Sequence, residues 1–235
     1  MDVQVVNIAL LTRYNSYIGR EYAARLVDNN INFVFITFGE QNEYEDKHED
    51  IRCAGLWSPT PISDIKKQTN FINFDNINSK EFKTYIKEKE IDLGIQSDVG
   101  EIISEDVINL FPKGILNFHP GDLPQYRGCS APEWQLYENN NIVCTCHYVD
   151  KGIDTGNIIE KKVLDLPHGD YHRIRASIYL EISKFLVDIV NKLIKQEEMS
   201  SYPQDESLAI YRTYIGNDKI EELINFLDIK DVNDK

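Results

Sequence analysis

The chain has 235 residues, 42% of them hydrophobic, and a formal net charge of −14 from 25 Lys and Arg against 39 Asp and Glu. This is enough for one substantial core with an appendage, of ordinary globular composition. The acidity works against a polyanionic partner such as nucleic acid, and no apolar run is long enough to span a bilayer.

Val3 to Leu11 is an apolar, β-branched run that reads as a buried first strand. The residues before it lack the basic-then-apolar build of a secretion signal, so a cytoplasmic location is expected. Thr12 to Ser16 form a polar loop, and Ser16 can cap a helix over Tyr17 to Asn29. Ile31 to Phe38 is the second strand, which gives a parallel pair with a right-handed crossover. The first loop carries no glycine, and backbone cradling of a phosphate usually needs glycines for close approach. Arg13 in this loop reads as a surface arginine that can still meet a phosphate through its side chain. Gly39 to Asp50 is acidic and reads as an exposed loop or frayed helix. Pro61 can start a helix at Ile62.

Asn70 to Phe74 is a short strand, and Ser79 can cap a helix over Lys80 to Lys89 with Phe82, Tyr85 and Ile86 on one face. Ile91 to Gln96 is the next strand, followed by the loop Ser97 to Gly100 and a short helix capped by Ser104. A central strand begins at Gly114. Ala131 to Asn139 is a helix containing Trp134, whose ordinary role would be core packing. Ile142 to Tyr148 and Asn157 to Leu164 are strands flanking the loop Asp150 to Gly156. Tyr171 to Lys195 is the longest helical pattern, with Ile174, Ile178, Ile182, Phe185, Ile189 and Leu193 on one stripe facing the sheet.

After Glu197 and Glu198 the pattern changes: Leu208 to Ile215 alternates like a strand, and Ile220, Leu223, Ile224 and Leu227 suggest a small final helix before a loose end at Asp231 to Lys235. The alternation of strands and helices implies an α/β fold with a doubly wound, mostly parallel Rossmann-like sheet over residues 1–195 and a short C-terminal extension, 196–235, of strand or hairpin plus helix. Cys53, Cys129, Cys144 and Cys146 fit neither a zinc spacing nor a disulfide framework, and Cys144 and Cys146 share one face of a strand as small buried side chains, so no metal is expected.

The central strand ends in Leu116-Asn117-Phe118-His119 and turns at once through Pro120-Gly121 and Leu123-Pro124. Side chains two apart in a strand share a face, so Asn117 and His119 project together from its end. An amide and an imidazole aimed at one point suit a carbonyl oxygen that gains negative charge. Asp154, in the loop after another strand, can complete the set. In an open α/β sheet, ligands bind beyond the carboxyl ends of strands, where all three residues fall.

Asn117-x-His119-Pro120, Leu123-Pro124-x-Tyr126-Arg127-Gly128, Ala131-Pro132-x-x-Trp134 and Thr145-x-x-x-Val149-Asp150-x-Gly152-Ile153-Asp154-Thr155-Gly156 occur in order. This series resembles the formyltransferase family that uses 10-formyltetrahydrofolate. The match is best over Ile91 to Gly156 and looser to about residue 195. The resemblance implies a formyltransferase fold, with Asn117 and His119 as oxyanion donors and Asp154 favouring the protonated form of His119 and helping to remove the amine proton. It places folate around Gln96, Asp98, Leu116, Asp150 and Gly156, where backbone groups do much of the recognition. Tyr126, Arg127, Tyr211 and Arg212, with Arg13, are candidate acceptor contacts; Arg127 could equally tie down its own loop.

The glycine-free first loop departs from glycinamide ribonucleotide transformylases, and the tail is short for the β-barrel of methionyl-tRNA formyltransferases. By exclusion the resemblance is greatest to sugar N-formyltransferases. It implies a nucleotide-linked amino sugar as acceptor, a dTDP-4-amino-4,6-dideoxyglucose of the kind used in surface polysaccharide (O-antigen) synthesis, and a homodimer formed with the tail. The alternatives are a glycinamide ribonucleotide transformylase with an atypical loop and a non-catalytic folate- or nucleotide-binding protein.

Overall fold

The structure is a computed structural model that describes residues 6–41 and 47–233. The elements run in the order β1 (Ile8–Arg13), α1 (Tyr17–Asp28), β2 (Val34–Phe38), α2 (Lys47–Cys53), α3 (Ile62–Lys66), β3 (Asn70–Phe74), α4 (Lys80–Glu88), β4 (Leu93–Ser97), α5 (Glu105–Ile108), β5 (Ile115–His119), β6 (Arg127–Gly128), α6 (Ala131–Tyr137), β7 (Val143–Tyr148), β8 (Ile158–Val163), α7 (Tyr171–Ile194), β9 (Tyr211–Arg212) and α8 (Asn217–Asn233). A seven-stranded sheet has the order β3-β2-β1-β4-β5-β7-β8. The first five strands are parallel, whereas β7 and β8 are antiparallel to their neighbours. The expected α/β, mostly parallel architecture is therefore present.

Because successive strand residues face opposite sides, the sheet divides its apolar residues between two cores. Leu10, Phe35, Leu93, Ile95, Leu116 and Phe118 face α1 and α7, where Leu26, Ile178, Ile182, Phe185 and Ile189 are buried. Ala9, Leu11, Ile36, Phe38 and Ile115 face the opposite side, with Phe82 and Ile86 of α4 and Val107 of α5. The long stripe of α7 meets the sheet as its spacing predicts. Ser16 and Ser79 cap α1 and α4 by accepting from the Gly19 and Phe82 amides. Cys144 and Cys146 are buried in the first core, and burial raises both thiol pKa values.

Several expectations need correction. The first strand begins at Ile8 rather than Val3, with residues 3–5 outside the described residues. The acidic stretch enters a helix, α2, and is not simply an exposed loop: Glu49 is buried and accepts from Arg175 at 2.9 Å. No sequence periodicity reports an ion pair between residues 126 apart. The tail strand over Leu208 to Ile215 is only β9, two residues long and parallel to the equally short β6. Over 208–215 the burial has no period of two, because β9 docks on a loop and not in the main sheet. Helix α8 continues through Asn233, so 231–233 are helical, and 234–235 lie outside the described residues.

Trp134 is not core. Its indole donates to the Thr213 carbonyl at 2.9 Å, and Arg212 and Lys219 lie over its ring, so it anchors the tail. Among the described residues, no helix is long and apolar enough to cross a membrane.

Candidate active site

Strand β5 delivers Asn117 and His119 to one face at its carboxyl end. Its antiparallel pairing with β7 sets His147 opposite Asn117 and Thr145 opposite His119, while parallel pairing with β4 sets Gln96 on the other side of Asn117. Asp154 enters from the β7–β8 loop with φ +54°, a left-handed conformation that Asp tolerates better than most residues. Its Oδ1 lies 3.4 Å from Asn117 Nδ2, 3.5 Å from His119 Nδ1 and 3.6 Å from His147 Nε2. The backbone amide of Gly128 donates to the other oxygen, Oδ2, at 2.9 Å. Asn117, His119 and Asp154 converge as the strand ends require.

His119 is buried, and its Nε2 lies 2.6 Å from the Tyr126 carbonyl, to which it donates. This contact needs Gly121: a Cβ there would sit 2.5 Å from His119 Nε2 and 2.7 Å from the Tyr126 oxygen. Burial pushes the His119 pKa below its ordinary 6.5, against the upward pull of Asp154. The expected effect of Asp154 is thus present but outweighed, and the resting imidazole is neutral near pH 7. Burial also acts to raise the Asp154 pKa, but His119, His147 and the Gly128 amide hold it down at about 2. A permanent carboxylate therefore stands beside an imidazole that gains from taking up a proton.

His147 was not singled out by the sequence. Its Nδ1 donates to the Tyr148 carbonyl at 2.8 Å, which leaves Nε2 as the acceptor for Asn117 Nδ2 at 3.1 Å. The Asn117 NH2 group is thereby turned towards His147 and Asp154, since both are acceptors. The alternation that buries Cys144 and Cys146 also places His147 on the face of Asn117; that strand register was the signal available.

Buried side chains hold the loop after β5. Thr145 donates to the Gly121 carbonyl at 2.7 Å and accepts from the Leu123 amide. Gln135 donates to the Pro120 carbonyl and accepts from the Asp122 and Val143 amides. These bonds satisfy backbone groups that would be costly to bury unpaired.

The remaining candidates divide. Gln96 and Asp98 lie at the end of β4, and Asp98 accepts from Arg13 at 2.7 Å. Asp150 organises its own loop, accepting from the Gly152 amide and the Thr155 hydroxyl. The Leu116 side chain is fully buried in the core and so cannot itself contact a ligand. Gly156 is a packing glycine, because a Cβ there would fall 1.8 Å from the Tyr148 oxygen.

The Tyr126 hydroxyl bonds Glu138 and Asn140. The Arg127 guanidinium is fully buried and bonded to Gln204, Glu206 and Tyr211. Arg212 pairs with Glu138. Of the two roles open to Arg127, its contacts serve the loop tie. Tyr126, Tyr211 and Arg212 are occupied in the same docking of the tail, rather than turned into the trio. Tyr214 of the tail is exposed and lies beside Cys129, which raises its hydroxyl pKa.

The sequence pattern described as formyl transferase matches residues 7–188, most of the chain, with Asn117, His119, His147 and Asp154 among them. The chain belongs to the formyl transferase family. Among curated relatives, the methionyl-tRNA formyltransferase of Syntrophomonas wolfei is 28% identical over 176 residues, covering 72% of this chain and 54% of the relative. The chain spans about half the length of the curated relatives it matches. Solved structures with this fold include a sugar N-formyltransferase from a Shewanella species, at TM-score 0.64 and 15% identity over 93% of this chain and 86% of that one. An N-formyltransferase from Helicobacter canadensis, in complex with folinic acid and dTDP-3-aminofucose, superposes at TM-score 0.62 and 17% identity over 88% of this chain and 70% of that one. The family assignment gives the Asn117/His119/Asp154 group a chemical context that an amide, an imidazole and a carboxylate alone would lack.

Proposed function

We propose that this protein transfers a formyl group from 10-formyltetrahydrofolate to the amine of a nucleotide-linked amino sugar. The convergence of Asn117 and His119 on one oxygen of Asp154, at 3.4 and 3.5 Å, carries this reading. The neutral amine attacks the formyl carbon, and a tetrahedral centre forms with negative charge on oxygen and positive charge on nitrogen. The Asn117 N–H that faces Asp154 at the long distance of 3.4 Å is the one free to turn to the oxyanion. His119 takes the amine proton, and the ionised Asp154 stabilises the imidazolium. The bond from the carbon to folate N10 then breaks, N10 receives the proton, and a formamide and tetrahydrofolate leave.

The end of β4, where Gln96 pairs with Asn117, and the Asp150–Gly156 loop, which carries Asp154, are the segments to which we assign the pterin. They suit a pterin, a flat ring with several donors and acceptors. For the acceptor, the net charge of −14 favours a small nucleotide sugar over a tRNA, and dTDP-4-amino-4,6-dideoxyglucose is our first candidate. The complex of the Helicobacter canadensis protein supports this class. A second reading, methionyl-tRNA as acceptor, rests on sequence similarity to curated methionyl-tRNA formyltransferases. We place the enzyme in the cytoplasm as a homodimer, joined through the exposed Leu208, Ile210 and Tyr214 of the tail. A monomer by light scattering at high micromolar concentration would remove the dimer.

One assay decides among acceptors. The protein is incubated with 10-formyltetrahydrofolate and, in separate arms, dTDP- and UDP-linked 3- and 4-amino sugars, glycinamide ribonucleotide and charged initiator tRNA. Tetrahydrofolate release is followed and the products are identified by mass. Turnover with an amino sugar is expected. Efficient formylation of the tRNA at physiological salt would replace that acceptor, and no turnover in any arm would leave a folate- or nucleotide-binding protein.

A further inference from the structure

The tail's hydrogen bonds lead back to the catalytic carboxylate. Gln204 is buried, and all of its polar capacity is committed. Its Oε1 accepts from Arg127 Nε at 3.1 Å and Nη2 at 2.8 Å, while its Nε2 donates to the carbonyls of Asp154 and Gly156, both at 2.8 Å. Arg127 in turn pairs with Glu206 at 2.6 Å and bonds the Tyr211 hydroxyl. Backbone bonds fix the same pieces from outside: Arg127 N to Ile210 O, Cys129 N to Arg212 O, Ile210 N to Pro124 O, and a two-bond bridge between Tyr202 and Ile158. Within this frame, Tyr126 offers its carbonyl to His119 and Gly128 offers its amide to Asp154. The tail thus grips both active-site loops, one through residues 127 and 129 and the other through the carbonyls of 154 and 156.

We propose that Gln204, braced by Arg127, is a positioning residue that holds Asp154 in its left-handed turn and so aims its carboxylate at His119 and Asn117. Gln204 lies beyond the residues 7–188 matched by the family pattern, so the site is completed by a part of this chain that the pattern does not cover. The physical reason is simple. A non-glycine residue with φ +54° is held there by its surroundings, and the Asp154 carbonyl is fastened by a side chain with no rotational freedom left. The Gly128 amide and the Asp154 carboxylate then meet because the same arginine–glutamine pair locates both loops.

The proposal rests on Asp154 taking part in formyl transfer, and the experiment separates the two. Gln204→Glu keeps the acceptor for Arg127 but sets a carboxylate against the carbonyls of 154 and 156. Gln204→Met keeps the volume and removes both halves without adding charge. Both are compared with wild type and Asp154→Asn for kcat, for KM of folate and acceptor, and for the titration of the His119 imidazole by NMR without ligands.

Both Gln204 variants are expected to lose kcat by an order of magnitude or more, about 10- to 100-fold, with little change in KM. In Gln204→Met the His119 titration should move further down, towards its position in Asp154→Asn, as the carboxylate drifts away. Full activity in Asp154→Asn would sink the functional reading, whereas the His119 titration would still report on positioning. An unchanged kcat and His119 titration in both Gln204 variants would overturn the proposal. So would a loss confined to KM, or unfolding of both variants while Asp154→Asn stays folded, since Gln204 would then serve binding or stability alone.

Discussion

Among the described residues, two groups of charged side chains with buried members differ in what their environment does to protonation. One lies between α2, α6 and α7: Arg175 meets Glu49 at 2.9 Å and Glu133 at 3.4 Å, and Arg52 approaches the same two carboxylates. Burial works against ionisation of both Glu133 and Arg175, yet each has a partner that overrides it, leaving the carboxyl pKa lowered and the guanidinium pKa raised. The charges of Glu133 and Arg175 are fixed there. The other cluster is the candidate active site, where burial wins over the carboxylate for His119 while Asp154 stays ionised. One group is held charged and its neighbour is left able to change. A buried network of fixed charges joins helices, whereas one with an uncommitted member can move a proton.

The comparison predicts opposite phenotypes. His119→Ala and Asp154→Asn should each lower turnover by about 100- to 1,000-fold, the scale of a lost oxyanion or proton-transfer group, while remaining folded by circular dichroism. Near-normal turnover in folded His119→Ala would remove the proton-transfer role. Arg175→Ala should instead destabilise the fold by roughly 3–5 kcal/mol, because it strands two buried carboxylates. Urea unfolding measures this, and the activity of the fraction still folded should be near normal. If Arg175→Ala abolished activity without loss of stability, the two clusters would not be distinct in the way argued.

A smaller effect tests His147. His147→Phe removes the acceptor that turns the Asn117 amide and should reduce kcat by about 10- to 100-fold, with KM for folate largely retained. An unchanged kcat would show that Asp154 alone orients Asn117.

The sequence disclosed the sheet, the long α7 stripe and the Asn117/His119/Asp154 group because each follows from short-range periodicity or from a resemblance spread over few residues. It did not disclose the bracing around them. Gln135 and Thr145 satisfy loop amides, Gln204 reaches Asp154 across 50 residues, and Glu49 reaches Arg175 across 126. Such pairs have no period, and a glutamine in a polar tail looks the same in sequence whether it is solvated or buried. Tyrosine and arginine favour interfaces, which makes Tyr211 and Arg212 of the tail candidate ligand contacts in the sequence. Arg127, Tyr211 and Arg212 do form an interface, but one within the chain. Alternation along β5 turns the Leu116 side chain into the core away from Asn117 and His119, so the folate contact that the resemblance implies for it falls to its backbone.

The least dramatic prediction concerns pH, and its sign follows from the two lowered pKa values. A group whose pKa falls on folding contributes stability above its unfolded pKa and loses it as pH drops towards the folded value. For His119 the unfolded reference is 6.5 and the folded pKa lies below it, so stability declines as pH falls from above 6.5 through that lower value. For Asp154 the decline comes later, from 3.8 towards about 2. Between pH 8 and 5, therefore, wild type should lose stability relative to His119→Gln, which has no proton to gain there. The pH profile of kcat/KM should show an acid limb in the same window, because protonated His119 cannot take the amine proton. Arg175 and Glu133 keep their charges throughout that window, so a double variant, Arg175→Met with Glu133→Gln, should leave the limb in place. Equal acid sensitivity in wild type and His119→Gln would mean that the buried imidazole does not titrate as argued, and the contrast between a fixed and a mobile charge would have to rest on activity alone.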